Sequence, residues 1–134
     1  MTSEPFAYEC ELDVRYSDLD TVGIVNNAVY VTFLEEARTR FLRDELGVVV
    51  ESTDQVLAHL DMDFERPIHG QDGVSAGVRV ESVGSSSYTL SYELRWQGDV
   101  VATAETVQVV VDDDGRPRDV PEPWRDALDE HVVQ

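Results

Sequence analysis

One stretch of helical period stands in a chain that otherwise alternates. Between Asn27 and Leu46, the residues Tyr30, Phe33, Leu34, Ala37, Phe41 and Leu42 fall on one stripe. Glu35, Glu36, Arg38, Thr39, Arg40, Arg43 and Asp44 occupy the rest of the surface. Asn26 or Asn27 is placed to cap the start, and Gly47 stands where a helix ends. Five other segments have a period of two, which predicts half-buried strands. They are 6–16 (Phe6, Tyr8, Cys10, Leu12, Val14 and Tyr16 on one face), 55–65 (Val56, Ala58, Leu60, Met62, Phe64), 74–83, 88–96 and the valine-rich 100–111. Gly84-Ser85-Ser86-Ser87 and Gln97-Gly98-Asp99 make the hairpin turns, 112–123 is turn-like, and 124–132 suits a short terminal helix. A single helix covers five strands only if the sheet curls around it. The prediction is therefore an α+β domain over 1–134, a curved antiparallel β-sheet wrapped around one long central α-helix. The uncovered face or an edge is left for a second copy of the chain.

Charge narrows the partners. The chain has 28 acidic and 10 basic residues, a formal net charge of −18, and every basic residue is arginine. Phosphate backbones and anionic lipid repel such a surface, so neither nucleic acid nor membrane is expected as a partner. No run nears the ~18 apolar residues of a membrane-spanning helix, and Met1–Pro5 lacks the basic, apolar start of a signal peptide. A cytoplasmic location is the expectation. One cysteine, Cys10, forms no internal disulfide. Self-repulsion among so many acids is screened near 1 M salt, where the Debye length is ~3 Å. An acidic, lysine-free surface therefore suggests a halophilic host, against the alternative of an acidic protein from an ordinary one.

Chemistry concentrates in Arg15-Tyr16-Ser17-Asp18-Leu19-Asp20-Thr21-Val22-Gly23-Ile24-Val25-Asn26-Asn27, which leads into the helix at Tyr30. A carboxylate pair here precedes a helix N-terminus, whose amides lack intrahelical partners and carry the positive end of the macrodipole. Such amides hold a developing oxyanion, and a nearby aspartate attacks a carbonyl or activates water against it. The alternative is that Asp18 and Asp20 merely shape the turn.

The wider pattern resembles the hotdog-fold acyl-CoA thioesterase family, specifically its 4-hydroxybenzoyl-CoA thioesterase-like members. Those show Asp-x-Asp-x-x-Gly, a segment ending Val-Asn-Asn, then Tyr and Glu-x-Ala-Arg. Here these are Asp18, Asp20, Gly23, Val25-Asn26-Asn27, Tyr30 and Glu35-Glu36-Ala37-Arg38. Phe64, Pro67 and Asp72 give a weaker second match, with Gln71 inserted between Gly70 and Asp72. Ile24 departs from the His that many fatty-acyl members carry, which touches substrate class rather than reaction.

The resemblance implies that Asp20 is the catalytic carboxylate, as nucleophile or as general base, and that the backbone N–H of Asn27 binds the thioester oxygen. It places Gly23, Asn26 and Tyr30 around the substrate, although the apolar stripe also accounts for Tyr30 as a core residue. It implies hydrolysis of an acyl-CoA to a carboxylic acid and free CoA, with no metal and no cofactor, since coenzyme A is part of the substrate. It also implies a homodimer or homotetramer with sites at subunit interfaces. Asp18 is expected to orient the turn, and Glu35 and Glu36 to be solvated or at an interface. Arg66, Arg79 and Arg95 are the arginines considered for the CoA phosphates.

Other candidates are weaker. Cys10 reads as an inert thiol on the apolar face. His59, His69 and His131 have no metal-ligand spacing, with His69 as the one to watch. Asp112-Asp113-Asp114-Gly115 reads as a turn. The rival readings are a hotdog hydratase or dehydratase, which uses a histidine beside the carboxylate, and a non-catalytic acyl-CoA-binding domain.

Overall fold

The structure is a computed structural model that describes residues 6–47 and 55–132. Its elements run β1 (Tyr8–Leu12), a 3₁₀ turn (Tyr16–Asp18), α1 (Asn27–Phe41), β2 (Gln55–Phe64), β3 (Val74–Val83), β4 (Ser87–Trp96), β5 (Asp99–Val110) and α2 (Glu122–His131). The strands form one antiparallel sheet in the order β1-β3-β4-β5-β2. Hairpin succession puts β3, β4 and β5 side by side, while β1 and β2 close the two edges. This is the predicted α+β arrangement of one sheet and one long helix.

Asn26 caps α1, its side-chain oxygen accepting the Ala28 N–H at 3.0 Å. The predicted stripe is the buried one: Tyr30, Phe33, Leu34, Ala37 and Phe41. Past Phe41 the helix widens into a π turn, Leu42–Leu46, and stops at Gly47, whose φ of 71° suits only a residue without a Cβ. The predicted helix of 27–46 thus keeps its ends but not a single winding. Leu34, Phe41 and Leu42 are 0–1% exposed, and each such side chain contributes ~1.5–3 kcal/mol by leaving water. Against the stripe lie Leu12, Val74, Ala76, Val78, Val80, Leu90 and Leu94 of the sheet. α1 packs chiefly on β1 and β3, and α2 on β3. Leu128 is buried, and Val132 bridges to Val80 in parallel.

Three expectations are corrected. The first strand spans Tyr8–Leu12 rather than 6–16. Phe6 lies over Gly77 and beneath the Arg79 guanidinium, 4.0 Å from its ring centroid, on the face turned away from α1. Tyr16 is 81% exposed, because the chain leaves the strand and bends at the 3₁₀ turn. In β2 the pairing with β5 shifts between Leu57 and His59, so Ala58 is a bulge and the alternation changes phase. Leu57, and not Val56, therefore shares the α1-facing side with Leu60, Met62 and Phe64, opposite Gln108, Thr106, Ala104 and Ala102. The terminal helix starts slightly earlier than predicted, at Glu122.

Candidate active site

The segment between β1 and α1 folds on itself. Leu19 bridges Val25, the Asp20 N–H donates to Ile24 O at 2.8 Å, and the Gly23 N–H returns to Asp20 O at 3.1 Å. Gly23 takes φ +80° at this reversal, so the absence of a Cβ serves the turn itself. The small hairpin is pinned to the loop after β2: Val25 N–H donates to Ile68 O at 2.9 Å, and Gly70 N–H to Gly23 O at 3.2 Å.

The two aspartates separate in role. Asp18 is buried, its carboxylate accepting the Arg15 N–H at 2.8 Å and the Arg15 guanidinium at 3.3 Å, while its carbonyl takes the Asn26 N–H. It orients the turn, as expected. Asp20 is exposed. Its Oδ1 accepts the N–H groups of Val22 at 2.9 Å and Ile24 at 3.1 Å, and its Oδ2 has no partner among the described residues. Asp20 lines a cleft of about 470 Å³ with Tyr16, Leu19, Thr21 and Gly23.

A second cleft of about 210 Å³ adjoins the start of α1, lined by Ile24, Asn27, Tyr30, Phe64, Arg66 and Pro67 among others. The backbone N–H of Asn27, first residue of the helix, donates to no acceptor among the described residues. Asn26 spends its side chain on the cap. Tyr30 is 2% exposed; its ring meets Phe64 edge-on at 5.1 Å, and its hydroxyl donates to Arg66 O at 3.3 Å. Burial pushes the Tyr30 phenol up, partly offset by a hydrogen bond with the Ile68 backbone. Core residue and cleft wall are thus one and the same for this tyrosine.

Sequence reasoning placed Phe64 and Pro67 only as a weak pattern, yet the 64–70 loop forms one side of the site. Arg66 lies at the second cleft and pairs with Asp99 at 3.6 Å. Arg79 and Arg95 lie on the face away from α1, against Phe6 and Glu93 respectively. His69 bridges Ile24 through the backbone, and its ring packs against Trp96 at 6.0 Å. That adjacency is invisible in sequence because the two residues are 45 positions apart (69 − 24). Cys10 is half-buried, and burial pushes its thiol up, as suits an inert side chain. Among the described residues no cluster of three or more His, Cys, Asp or Glu side chains is placed to hold a metal ion. No described helix is long and apolar enough to cross a membrane.

Residues 14–131 match the family model described as the thioesterase-like superfamily. The chain belongs to this superfamily. It is 25% identical over 129 residues to a 1,4-dihydroxy-2-naphthoyl-CoA hydrolase of Synechococcus elongatus, covering 90% of this chain and 94% of that protein. A thioesterase of Thermus thermophilus, solved with coenzyme A and zinc, superposes with a TM-score of 0.84 at 34% identity, covering 92% of this chain and 98% of that one. A predicted thioesterase of Bacillus stearothermophilus gives 0.85 at 26% identity, over 95% and 97%. The fold is accordingly the hotdog fold, and the enzyme class of this superfamily member is thioester hydrolase.

Proposed function

We propose that this thioesterase-family member hydrolyses acyl-CoA thioesters to a carboxylic acid and free coenzyme A, with Asp20 as the reacting carboxylate. The observation that carries the reading is the divided state of that carboxylate. Two backbone N–H groups hold Oδ1 and fix the group's direction, while Oδ2 has no partner among the described residues on the wall of an open cleft. A carboxylate tethered by one oxygen is pre-oriented, and positioning is a large part of catalysis. The Asn27 N–H, at the positive end of α1, is the donor for the thioester oxygen as negative charge develops there.

The thioester carbon is attacked either by Asp20 Oδ2 or by a water that Asp20 deprotonates. In the first route a mixed anhydride forms, thiolate leaves, and water then cleaves the anhydride. In the second, water adds directly and the C–S bond breaks. Both consume one water and release one carboxylic acid and one thiol. Gly23 lines the first cleft with Asp20, Asn26 caps the helix that presents Asn27, and Tyr30 with Phe64 forms the aromatic wall of the second cleft. Arg66, which lines the same cleft, is the cation for the phosphates of CoA. The relative named for 1,4-dihydroxy-2-naphthoyl-CoA supports CoA as the carrier.

The working unit in this reading is a homodimer or a pair of dimers, joined through β2. That edge strand exposes Val56 at 50%, Leu57 at 44% and Phe64 at 50%, and an unpaired apolar edge invites pairing. An acidic surface without lysine supports work in a salt-rich cytoplasm. The decisive experiment is Asp20→Asn: free-thiol release from acyl-CoAs should fall by ~10³-fold or more with the melting temperature and oligomer kept. A fully active variant refutes the assignment.

A further inference from the structure

Asp20 is held by a residue that is itself held from outside its loop. Ile24 donates its N–H to Asp20 Oδ1 at 3.1 Å and accepts the Asp20 N–H at 2.8 Å. On either side of Ile24, Gly23 O accepts the Gly70 N–H and the Val25 N–H donates to Ile68 O, with His69 bridged to Ile24 between them. The direction of the Asp20 carboxylate therefore depends on where residues 68–70 stand. Apart from this bridge, those residues belong to no strand or helix. Ile68 is 0% exposed, while the exposed His69 lays its ring against Trp96, the planes inclined at 43°. Neighbouring side chains of an extended segment leave it on opposite sides, so anchoring both fixes its roll as well as its depth.

Trp96 is the last residue of β4, partly buried against the core. It pairs with Asp99 across the turn Gln97-Gly98, both of whose residues take positive φ. The same hairpin fastens the loop after β2 on either side of His69. Val101 O accepts the N–H groups of Glu65 and Arg66 at 2.8 and 3.2 Å, and the Gln97 side-chain amide donates to Asp72 Oδ2 at 2.9 Å. The Trp96–His69 contact lies between these two fastenings, where the loop meets residues 23–25. The indole Nε1 is buried with no partner among the described residues. An unpaired buried donor is costly and native proteins keep few, so it is the ring of Trp96, and not its N–H, that serves here.

We propose that Trp96 is a positioning residue: through the His69 ring it holds residues 68–70, and through them Ile24, in the place that aims Asp20 Oδ2 into its cleft. The proposal rests on the thioesterase reading above. Neither Trp96 nor His69 lines the Asp20 cleft or the cleft at Asn27. Losing their contact therefore misplaces the carboxylate without removing a contact to substrate. A displacement of ~1 Å from a change far from the chemistry costs up to ~100-fold in rate. A loss confined to the transition state lowers kcat and kcat/KM together.

The test measures kcat and KM for free-thiol release over a panel of aliphatic and aromatic acyl-CoAs, together with hydrogen–deuterium exchange of the peptide spanning 20–26. The proteins are wild type, Trp96→Ala, Trp96→Phe, His69→Ala and the double alanine variant. Each single alanine variant should lose ~10-fold or more in kcat with KM unchanged, and should exchange faster over 20–26 while β3, β4 and β5 keep their protection. The double variant should lose no more than the worse single one, because both changes break one contact. Trp96→Phe keeps a ring, drops the unpaired donor, and should restore both rate and protection. His69 is exposed, so His69→Ala reports on the contact even where Trp96→Ala fails to fold. Wild-type kcat or wild-type exchange in His69→Ala, additive losses in the double variant, a raised KM at unchanged kcat, or no restoration by Trp96→Phe each overturns the proposal and leaves thioester hydrolysis standing. Turnover of none of the acyl-CoAs by the wild type overturns both readings.

Discussion

The buried Asp18 carboxylate accepts the Arg15 backbone N–H at 2.8 Å and its guanidinium at 3.3 Å, and this pair fixes the bend that carries Asp20. The bend and the reaction should separate by mutation. Asp18→Ala leaves the Arg15 N–H and the turn unsupported and should cost ~1–3 kcal/mol in urea denaturation. Asp18→Asn keeps one acceptor oxygen and should retain most thiol release. Asp20→Asn keeps its own turn through the amide oxygen, holds stability and loses hydrolysis. An Asp18→Asn protein as stable as wild type but as inactive as Asp20→Asn would reverse the two roles.

Gly77 tests the misplaced aromatic. A Cβ at this position meets the Phe6 ring at 2.4 Å, so Gly77→Ala forces the ring off the sheet and should cost ~1–3 kcal/mol. In a Phe6→Ala background the same change should be nearly free. Thermal melts of the four proteins give the coupling, and additivity of the two changes would deny the contact.

Tyr8 and Asp44 are joined by a hydrogen bond from the phenol to the carboxylate. Burial and the Asp44 carboxylate push Tyr8 up from 10.0 to about 12, so its contribution is complete below the unfolded value and fades as pH rises from about 10 to about 12. The hydrogen bonds from Arg43 and Tyr8 hold Asp44 down from 3.8 to about 2, so its contribution is complete above the unfolded value and fades as pH falls from about 4 to about 2. Melting temperature against pH should show both limbs. Tyr8→Phe should shrink the alkaline limb, to which the burial-raised Tyr30, Tyr88 and Tyr92 phenols also contribute, and an unchanged alkaline limb would contradict the assignment.

Salt and self-association should move together. With a net charge of −18, the melting temperature should rise from dilute to molar KCl as repulsion is screened. Sedimentation in molar KCl should give a dimer or tetramer, reduced to monomer by glutamates at Val56 and Leu57, which place charge on the exposed β2 edge. A flat melting curve across the salt series would remove the halophile reading, and an unchanged mass would move the interface elsewhere.

Much of the site was legible because its signals are local. A cap at Asn26 or Asn27, Gly47 as helix stop and the Tyr30–Phe41 stripe each follow from residues within a few positions of one another. The π turn after Phe41 was not legible, since the apolar spacing continues through it. The bulge at Ala58 was hidden as well, because Val56 through Phe64 alternates without a break and only pairing to β5 reveals the change of phase.

By itself the sequence determined the order of the elements, the buried stripe of the helix and the loop that carries Asp20, because periodicity, capping and turn chemistry act over a few residues. Tertiary structure alone decided that Asp18 is buried while Asp20 is open, that His69 lies against Ile24, that Phe6 lies over Gly77 on the outer face and that Gln108 Oε1 is buried with no partner among the described residues. These depend on strand register and long-range pairing, and no short stretch of chain encodes which distant backbone it will meet.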